Sequence, residues 1–480
     1  MPDELPRGSD RFLTSSGELG SLFHLACPNL GSGLPHSRAL SLTPYHGWAS
    51  MPGHTSTGIS GHPPPATTLL SSWWQVPITI VVVLTACSAT GAVGGTPPVT
   101  GPPSPSIALV GVNIRTPDKT PALNQTIVIS GGVIVAIGPN GGTSIPEGAQ
   151  IVDAGNQWVM PGLFDMHAHE VARDRLVMAG HGIVGVRGMW GTSEHQAVQA
   201  DVARGAAVGP TLFLASPGHD GPPASWPLTR MVTRPDDAPA AVARVRSEGW
   251  AFLKVYDHLP RAAFMALNSI ARAEGVRVVG HVPLGVSIDD ALTAGMASIE
   301  HLTGYGDPLT SPGAFAWSQI ELAAVPRLVA ATKAAGTWNC PTLAVTAIFA
   351  RRRGGEVGAK IIENRRRFVR ALYDGGARLL IGTDSGIDLV APGSGLLEEM
   401  REFAAAGIPN EAILRLATLE AAEFLGVQQR WGRVAVGFRG DLLLLHGDPA
   451  HALEQLAQPA GLILAGRHVD AATLATWRGQ

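Results

Sequence analysis

The sequence predicts an α/β protein in which a (β/α)8 barrel of the TIM type is joined to a small β-sandwich. Three observations favour this fold. Eight short apolar segments alternate with helical stretches over residues 161–427, a pattern typical of parallel strands joined by helices. Eight such units in about 265 residues match the size of a closed barrel. β-rich segments flank this region at residues 107–160 and 428–480, and together they are long enough to build the sandwich.

The flanking segments contain short runs that alternate or stay apolar, with turn-forming residues between them. The first segment contains IALVGVNIRT and QTIVISGGVIVAIG, in which Gly131-Gly132 predicts a tight hairpin. The second contains GDLLLLHGDP and AGLILAGRHVD. Neither segment has enough strands for a complete sheet. We therefore expect the chain to leave the sandwich, form the barrel and then return.

The barrel region supplies eight candidate strands and the helices between them. The strands are GLFDMHAH, GIVGVRG, PTLFLAS, AFLKVY, VRVVGH, MASIEHL, GTWNCPTL and RLLIGTD. The helices include PDDAPAAVARVRSEG, PRAAFMALNSIARAEG, SIDDALTAG, ELAAVPRLVAATKAAG and GAKIIENRRRFVRALYDGG. Several of them end in Gly, a common C-terminal signal. A doubly wound open sheet is the alternative, but no Gly-x-Gly-x-x-Gly loop follows the first strand.

The composition bears on partners and on metal ligands. Of 480 residues, 15% are charged, the net charge is −3 and no motif carries a basic block, so nucleic acid is not an expected partner. The clusters Arg351–Arg353 and Arg365–Arg367 are interpreted as solvated helix faces. The three cysteines, Cys27, Cys87 and Cys340, have no zinc-type spacing and cannot form a disulfide framework. Any metal is therefore expected to bind nitrogen and oxygen atoms.

The N-terminal region contains no segment typical of a folded domain. Residues 1–75 are rich in Gly, Ser, Pro and His, and we expect them to be disordered or to lie upstream of the true start. Residues 76–87, VPITIVVVLTAC, suit the apolar core of a signal peptide, and their end resembles the lipidation site of a bacterial lipoprotein. Residues 88–106 form a Gly/Pro/Ser linker.

This N-terminal pattern predicts an exported lipoprotein in the periplasm or at the cell surface. Its only membrane contact would be a lipid on Cys87. One feature counts against export, because no positive charge occurs between Arg38 and Val76, ahead of the apolar run. A cytoplasmic location is the alternative.

Residues that commonly bind metals end the apolar segments of the barrel. His167 and His169 are two positions apart, so both imidazoles face one side of an extended strand. Four more candidate ligands end later segments: Lys254, His281, His301 and Asp384. In a (β/α)8 barrel the C-terminal ends of the strands form the active site. The pattern of strands and the pattern of ligands therefore predict the same place.

In this order and at these strand ends, the residues resemble those of the metal-dependent amidohydrolase superfamily, in particular its imidazolonepropionase-like and Xaa-Pro dipeptidase-like branch. The resemblance extends from about Ile107 to the end of the chain. The tail segment GFRGDL, residues 437–442, resembles the family's Gly-x-x-Ala-Asp-Leu turn, with Gly440 in place of Ala. The resemblance implies a barrel bracketed by a composite β-domain, with a site for two divalent ions, expected to be zinc.

The resemblance also implies a role for the ligands. His167, His169 and Asp384 would hold one ion, and His281 and His301 would hold the other. A hydroxide shared by the ions would attack the scissile carbonyl. Asp384 would accept the hydroxide proton and pass it to the leaving nitrogen.

Lys254 and Tyr256 lie two positions apart and should face the same side of the fourth strand. An unpaired Lys254 ammonium would be costly to bury, and the resemblance implies that carbon dioxide carboxylates it to an anion that bridges both ions. Tyr256 would either hydrogen-bond the substrate or fill space. His219 and Arg187 are further candidate substrate contacts, although Gly188 stands where the family's Val-Arg-Asp pattern has Asp.

These expectations describe a hydrolase that cleaves the C–N bond of a small amide, such as a dipeptide ending in Pro or Arg, or a cyclic amide. Hydrolysis of an ester, lactone or phosphotriester on the same metal pair is the alternative reaction. A mononuclear deaminase is disfavoured, because such relatives have Glu three residues after the fifth-strand His, where this chain has Leu284. From another class, a non-catalytic surface lipoprotein of the same fold would lack several ligands, whereas this chain has all six. The oligomeric state, a homo-oligomer included, is left open.

Overall fold

Residues 106–387 and 389–479 are described by a computed structural model. Three predictions concern residues outside these ranges: the disordered segment 1–75, the signal-like segment 76–87 with Cys87, and the linker apart from Ser106. All described residues belong to one unit of the chain. Among the helices of the described part, none is long and apolar enough to cross a membrane.

The strands of the described residues fall into three hydrogen-bonded sheets, one mixed and two mainly parallel. In chain order they are β1 (Ile107–Ile114), β2 (Ala122–Ser130), β3 (Val133–Pro139), β4 (Gln150–Asp153), β5 (Trp158–Pro161), β6 (Leu163–Ala168), β7 (Ile183–Gly188), β8 (Thr211–Leu214), β9 (His219–Asp220), β10 (Arg230–Met231), β11 (Leu253–Val255), β12 (Val278–Gly280), β13 (Ser298–Glu300), β14 (Trp338–Cys340), β15 (Leu442–Leu445), β16 (Gly461–Leu464) and β17 (Arg467–Asp470).

The α-helices lie mainly between the parallel strands. In chain order they are α1 (Arg175–Gly180), α2 (Ser193–Ala203), α3 (Ala238–Ser247), α4 (Arg261–Ala273), α5 (Ile288–Ala294), α6 (Gly306–Leu309), α7 (Val325–Ala335), α8 (Leu343–Arg353), α9 (Gly355–Asp374), α10 (Ser394–Ala405), α11 (Asn410–Arg415), α12 (Ala421–Leu425) and α13 (Ala471–Trp477). The five helical stretches that the sequence predicts correspond to α3, α4, α5, α7 and α9. Alternation of strand and helix is thus confirmed for this part of the chain.

The two flanking segments meet in one eight-stranded sheet, ordered β17-β16-β15-β5-β1-β2-β3, with β4 also paired to β1. The hairpin predicted at Gly131-Gly132 joins β2 to β3, where Ser130 pairs with Val133. The C-terminal strand β15 runs antiparallel to β5. Strands from both ends of the described chain therefore share a single connected sheet, where the sequence predicts a sandwich.

Strand β15 is buried on both faces and separates two hydrophobic cores. Leu442 and Leu444 pack in the core of the mixed sheet, together with residues of β1 and β2. Leu443 and Leu445 pack in the larger core of the parallel sheets. Successive side chains of a strand point to opposite faces, so the run of four leucines supplies both cores and joins the mixed sheet to the central region.

Two sheets form the central region, one ordered β6-β7-β8 and the other β10-β9-β11-β12-β13-β14. All strand pairs within these two sheets are parallel. Isolated parallel bridges link their edges to each other and to the segment after Arg378: Ala215 with Phe252, Asn339 with Leu379, and Ala168 with Ser385. The carboxyl ends of these segments consequently lie on the same side.

The eighth predicted strand, RLLIGTD, is not a regular strand in the structure. Its backbone is nevertheless hydrogen-bonded on both sides. The Leu380 N–H donates to the Asn339 carbonyl (2.8 Å), and the Ile381 carbonyl accepts from the Met166 N–H (2.9 Å). The chain then turns at Asp384, whose φ of 59° lies in the left-handed region. A regular ladder ends there because extended strands need negative φ.

Candidate metal centre and active site

The carboxyl ends of the parallel segments meet at one cavity of about 280 Å³. Five segments of chain supply the predicted ligands in its wall, namely the end of β6, β11, the ends of β12 and β13, and the segment that follows Arg378. The segments after β7 and before β10 also contribute to the wall. All six predicted ligands line it: His167, His169, Lys254, His281, His301 and Asp384. The folded chain therefore brings together the six residues that the sequence pattern selects.

Asp384 lies among three of the histidines. Its Oδ1 atom is 3.2 Å from His167 Nε2 and 3.1 Å from His169 Nε2. Its Oδ2 atom is 3.9 Å from His301 Nδ1. Candidate ligand atoms of His167, His301 and Asp384 all lie within 4.8 Å of one another. Metal–ligand bonds to nitrogen and oxygen are about 2.0–2.2 Å long, so a group with this spacing can close around one ion.

His281 extends the cluster away from Asp384. Its ring centroid lies 4.8 Å from that of His301, which in turn lies 4.6 Å from that of His167. The rings therefore form a continuous row across the cavity floor.

Three of the histidines are oriented by a second side chain at Nδ1. The pairs are His167 with Glu300 (2.8 Å), His281 with Asp257 (2.6 Å) and His301 with Thr342 (2.7 Å). A hydrogen bond at one ring nitrogen fixes the tautomer and the direction of the other nitrogen, and metal-binding histidines commonly have such partners. For His167 and His281, the carboxylate partner accepts from Nδ1–H, so Nε2 carries the lone pair.

The Glu300 carboxylate is fully buried, and both of its oxygens accept hydrogen bonds. Its Oε2 atom accepts from Arg187 Nη2 (2.8 Å), and its Oε1 atom accepts from the Ser298 hydroxyl. Burial alone would raise the pKa of Glu300, but the Arg187 guanidinium and His167 hold it well below its usual range. Glu300 therefore stays ionised and fixes the His167 ring.

Lys254 is only 1% exposed and lines the cavity. Burial lowers the pKa of its ammonium to about 8, although the neighbouring carboxylates of Glu300 and Asp384 oppose this shift. A larger fraction of neutral amine is thus present near neutral pH than for an exposed lysine. Only the neutral amine can react with carbon dioxide.

The carboxyl group of Asp384 is also buried. Burial would raise its pKa, but His301 and His167 together lower it well below the usual range. Its left-handed backbone, with φ of 59°, points the side chain back across the strand ends. Asp384 is therefore a carboxylate held within reach of both His167 and His169.

Gly280 sets the spacing between His281 and Lys254. Its φ is 130°, and a Cβ atom there would lie 2.2 Å from the Val255 carbonyl oxygen and 3.0 Å from Lys254 Cδ. Only glycine allows this backbone conformation without strain and this close approach of two strands. Residue 281 can therefore lie beside residue 254 at the cavity floor.

Tyr256 lines the cavity beside these ligands. Its hydroxyl accepts a hydrogen bond from Trp226 Nε1–H (2.8 Å), and its ring centroid lies 4.1 Å from that of His281. Burial raises the pKa of Tyr256 well above its usual range. The hydroxyl therefore keeps its own proton, which it can donate toward the cavity.

The other two predicted substrate contacts do not line the cavity. His219 is 1% exposed, with Nδ1 placed 3.2 Å from the Lys254 carbonyl oxygen. Arg187 is fully buried and donates to Glu300, to the Ser298 hydroxyl (2.7 Å) and to the Met166 carbonyl. Neither side chain is placed to reach a substrate here, because each lies beneath the cavity and is held by neighbouring strands.

The sequence reasoning missed the residues that orient the histidines, which are Glu300, Asp257 and Thr342. Asp257 and Glu300 stand next to selected residues in KVYD and IEH, so adjacency to a candidate ligand was the available signal. The interpretation of Arg365–Arg367 as a solvated face is wrong for Arg365. That side chain is buried, and its Nη1 donates to the carbonyl of His301, the residue after β13 (2.8 Å).

The arrangement fits a metal ion. The His167 Nε2 atom is fully buried and makes no hydrogen bond within the described residues, although Asp384 Oδ1 lies nearby. A buried ring nitrogen without a partner is costly unless a ligand satisfies it. A second group, formed by His167, Glu300 and Cys340, also has metal-like spacing. It is the weaker candidate, because Arg187 and Ser298 already occupy the Glu300 carboxylate.

The structure is similar to solved structures of hydrolases. A putative prolidase from Bifidobacterium longum shares 23% identity, with a TM-score of 0.65, and the match covers 79% of this chain and 100% of that one. A Xaa-Pro dipeptidase with bound methionine shares 19%, with a TM-score of 0.63 and coverage of 76% and 100%. A bottromycin amidohydrolase shares 27%, with a TM-score of 0.63 and coverage of 78% and 88%.

A search among curated proteins found no match. Residues 158–469, well over half of the chain, match the amidohydrolase family. The resemblance predicted from the strand-end residues is thereby confirmed. With the histidine–carboxylate cluster at the strand ends, these findings show a metal-dependent hydrolase acting on C–N bonds: the chain belongs to the amidohydrolase family.

Proposed function

We propose that this chain is a binuclear hydrolase that cleaves the amide bond of a small substrate. The observation that carries the proposal is that six potential ligands, from five separate segments of chain, line one cavity. The bridges between the two parallel sheets and the segment after Arg378 support a closed (β/α)8 barrel around this site. In such barrels, the strand ends carry the chemistry.

Two divalent ions, which we propose to be zinc, would be held by the cavity floor. His167, His169 and Asp384 would hold one ion, and His281 and His301 would hold the other. When bound, the ions supply a water of lowered pKa and polarise the substrate carbonyl. The intrinsic affinity of a site for divalent first-row metals does not by itself select the ion, so geometry and metal supply decide. Imidazole and carboxylate ligands both bind zinc.

Lys254 is the proposed bridge between the two ions. Its buried position would leave a free ammonium poorly solvated. The ammonium first loses one proton. The neutral Nζ then forms an N–C bond with carbon dioxide and releases a second proton, so the cation becomes an anion. An anion suits a site that holds two dications, so the carboxylated form would stabilise the metal pair and be stabilised by it.

Two side chains would handle protons and charge. Asp384, which lies next to His167 and His169, would accept the proton of the attacking water and transfer it to the leaving nitrogen. The Tyr256 hydroxyl, which accepts its hydrogen bond from Trp226, has its own proton available for the carbonyl oxygen of the substrate.

The first substrates to test are dipeptides, because two similar structures are described as a prolidase and a Xaa-Pro dipeptidase. Esters and lactones are the second class, since the same metal pair could cleave them. A non-catalytic protein of this fold is the remaining alternative. A complete set of six candidate ligands favours the enzyme over this alternative.

The decisive experiment is the metal content of the full-length protein prepared with zinc and bicarbonate. We expect about two ions per chain, together with a carbamate signal from carbon-13-labelled bicarbonate. Lys254→Ala should lose the carbamate signal and at least one ion. Lys333→Ala, which replaces an exposed lysine on α7, is the matched control and should keep both. One ion without a carbamate in the unaltered protein would refute the binuclear site, and no ion would favour the non-catalytic protein.

A further inference from the structure

We propose that the cavity selects an amide whose leaving amine carries an aromatic or apolar group and no free carboxylate. This inference rests on the proposed amide hydrolysis and narrows its substrate class. It departs from a dipeptide with a free C-terminus. Three features of the wall carry it: an aromatic surface, a rigid loop that holds this surface, and the signs of the charges around it.

An aromatic surface, formed by Trp190, Tyr256 and Trp226, leads from the cavity mouth to the histidine row. The Trp190 ring meets the Tyr256 ring edge to face, with centroids 5.5 Å apart and an interplanar angle of 87°. Trp226 is joined to the same tyrosine by its indole N–H. On its far side, Tyr256 packs against His281. A flat substrate group placed on this surface would lie directly beside the proposed metal ligands.

The backbone of Gly218 makes room for the Trp190 ring. A Cβ atom at position 218 would lie 2.2 Å from Trp190 Cη2 and 2.3 Å from Cζ3. The indole therefore packs closely against Gly218 in the loop after β8. This contact fixes one end of the aromatic surface.

The other end is fixed by Asp220, which is fully buried. Its carboxylate accepts from the Ser225 hydroxyl (2.7 Å), the Gly221 N–H (2.9 Å) and the His258 N–H (2.6 Å). These bonds tie the loop that carries Trp226 to the segment after β11. A preformed surface of this kind binds a rigid ring with little further loss of conformational entropy.

The mouth of the cavity is also apolar. Leu228 is 66% exposed and lines the cavity together with Pro227 and Ile387. An exposed leucine at a cavity rim is explained if a ligand covers it, because burial of apolar surface contributes about 25 cal/mol per Å². The apolar lining thus extends from the rim to the floor on one side.

The charges of the wall disfavour a substrate carboxylate. Among the described residues, no arginine lines the cavity, and Lys254 is its one lysine. In the proposed mechanism Lys254 is carboxylated and binds the metal ions, so it is not available to pair with a substrate carboxylate. Apart from the six proposed ligands and Tyr256, the ionisable groups of the lining are Glu170, which is acidic, and His195, whose pKa is lowered by burial. Over the aromatic surface, a free carboxylate would therefore lose water without gaining a cationic partner.

The test compares N-acetyl-L-phenylalaninamide with N-acetyl-L-phenylalanine, two probes of nearly equal shape with the same acetyl–nitrogen bond. Calorimetry measures binding to the full-length zinc-loaded protein, and release of the free α-amino group measures hydrolysis. We expect the amide probe to bind at least about tenfold more tightly than the carboxylate probe, equivalent to about 1.4 kcal/mol. N-acetyl-L-alaninamide, which lacks the ring, should bind at least about tenfold more weakly than the phenylalaninamide.

A charge-adding variant sharpens the test. Leu228→Arg should lower the ratio between the Kd of the carboxylate probe and that of the amide probe by at least about fivefold, because it gives the substrate carboxylate a cationic partner at the rim. Leu123→Arg is the matched control, since Leu123 is 60% exposed on β2 and does not line the cavity. It should leave the preference unchanged.

The outcomes separate this inference from the proposed function. Equal or tighter binding of the carboxylate probe, or no binding of either phenylalanine probe, would overturn the inference even if dipeptides are hydrolysed. Selective binding without any hydrolysis would support the inference and count against the proposed function. Selective binding with hydrolysis would support both.

Discussion

The Nδ1 atom of His167 lies 2.8 Å from the carboxylate of Glu300, and both side chains are fully buried. The same carboxylate accepts from Arg187. One carboxylate thereby links a buried guanidinium to a ring whose other nitrogen faces Asp384. The direction of the His167 lone pair is set by residues that never reach the cavity.

Glu300→Gln should weaken zinc binding by about 10- to 100-fold, the usual cost of removing the partner of a metal-binding histidine. The amide cannot be relied on to fix the same tautomer, and it leaves Arg187 without a negative partner. Competition with a chelator measures the affinity. Glu321→Gln, at an exposed position, is the control. An unchanged zinc affinity in a folded Glu300→Gln protein would contradict the role assigned to this carboxylate.

Gly280→Ala should destabilise the fold by about 3 kcal/mol, because the new Cβ meets the Val255 carbonyl at 2.2 Å in a backbone conformation that alanine rarely adopts. Displacement of β11 would also move Lys254 and reduce the metal content. Urea unfolding and metal analysis measure the two effects. Gly285→Ala is matched to it, since a Cβ there meets no heavy atom within 4 Å, and it should change neither quantity.

Glu399 should make stability fall as the pH rises. Burial raises the pKa of Glu399 to about 8 in the folded state, although the N–H groups of Ala344 and Leu343 oppose the shift. Above the unfolded pKa of about 4.5, the folded state holds the proton more tightly than the unfolded state. Stability is therefore lost from about pH 4.5 up to about pH 8, by about 1.4 kcal/mol per unit of pKa difference when the loss is complete.

The Glu399→Gln variant tests this pH dependence. Its free energy of unfolding, measured with urea in metal-free protein between pH 5 and 9, should lack the decline that Glu399 contributes. Leu343 N–H and Ala344 N–H donate to different oxygens of Glu399. The variant replaces one of these oxygens with an NH2 group that cannot accept, so it should be less stable at pH 5. Parallel pH curves for the two proteins would show that Glu399 does not titrate in this range.

Tyr256→Phe should lower kcat by about 100-fold on any amide that the enzyme cleaves, with a smaller change in KM, if the hydroxyl donates to the developing oxyanion. The ring contacts with Trp190 and His281 remain in the variant. Steady-state kinetics separate the two constants. Tyr373→Phe, on α9, is the control. A loss confined to KM would assign Tyr256 to substrate binding alone.

Cys87→Ser should release the protein from the membrane if residues 76–87 act as a lipoprotein signal. In a bacterial host, the unaltered chain should partition into the detergent phase and carry the mass of a lipid at Cys87, whereas the variant should do neither. Cys27→Ser is the matched control. Identical partitioning of all three proteins would favour the cytoplasmic alternative.

Sequence alone selected six candidate ligands that line one cavity, because each ends an apolar segment and the strand ends of parallel sheets meet on one side. His167 and His169 needed only the two-residue period of a strand. The roles of the residues outside the cavity lining are harder to predict from sequence. Thr342 contacts His301 because the chain makes a left-handed turn after β14, with φ of 48° at Thr342. No local sequence pattern predicts that contact. The resemblance to the family's Val-Arg-Asp pattern predicts Arg187 as a substrate contact, but the sequence does not show which face of the strand is covered.

The pairing of β15 with β5 also has a consequence for how the protein is made. A ribosome delivers β5 long before the four leucines of β15, and the partner of that strand edge arrives only after the residues between them. The mixed sheet consequently closes after the whole catalytic region has left the ribosome. A chain released before β15 would leave an unpaired strand edge, a template for aggregation.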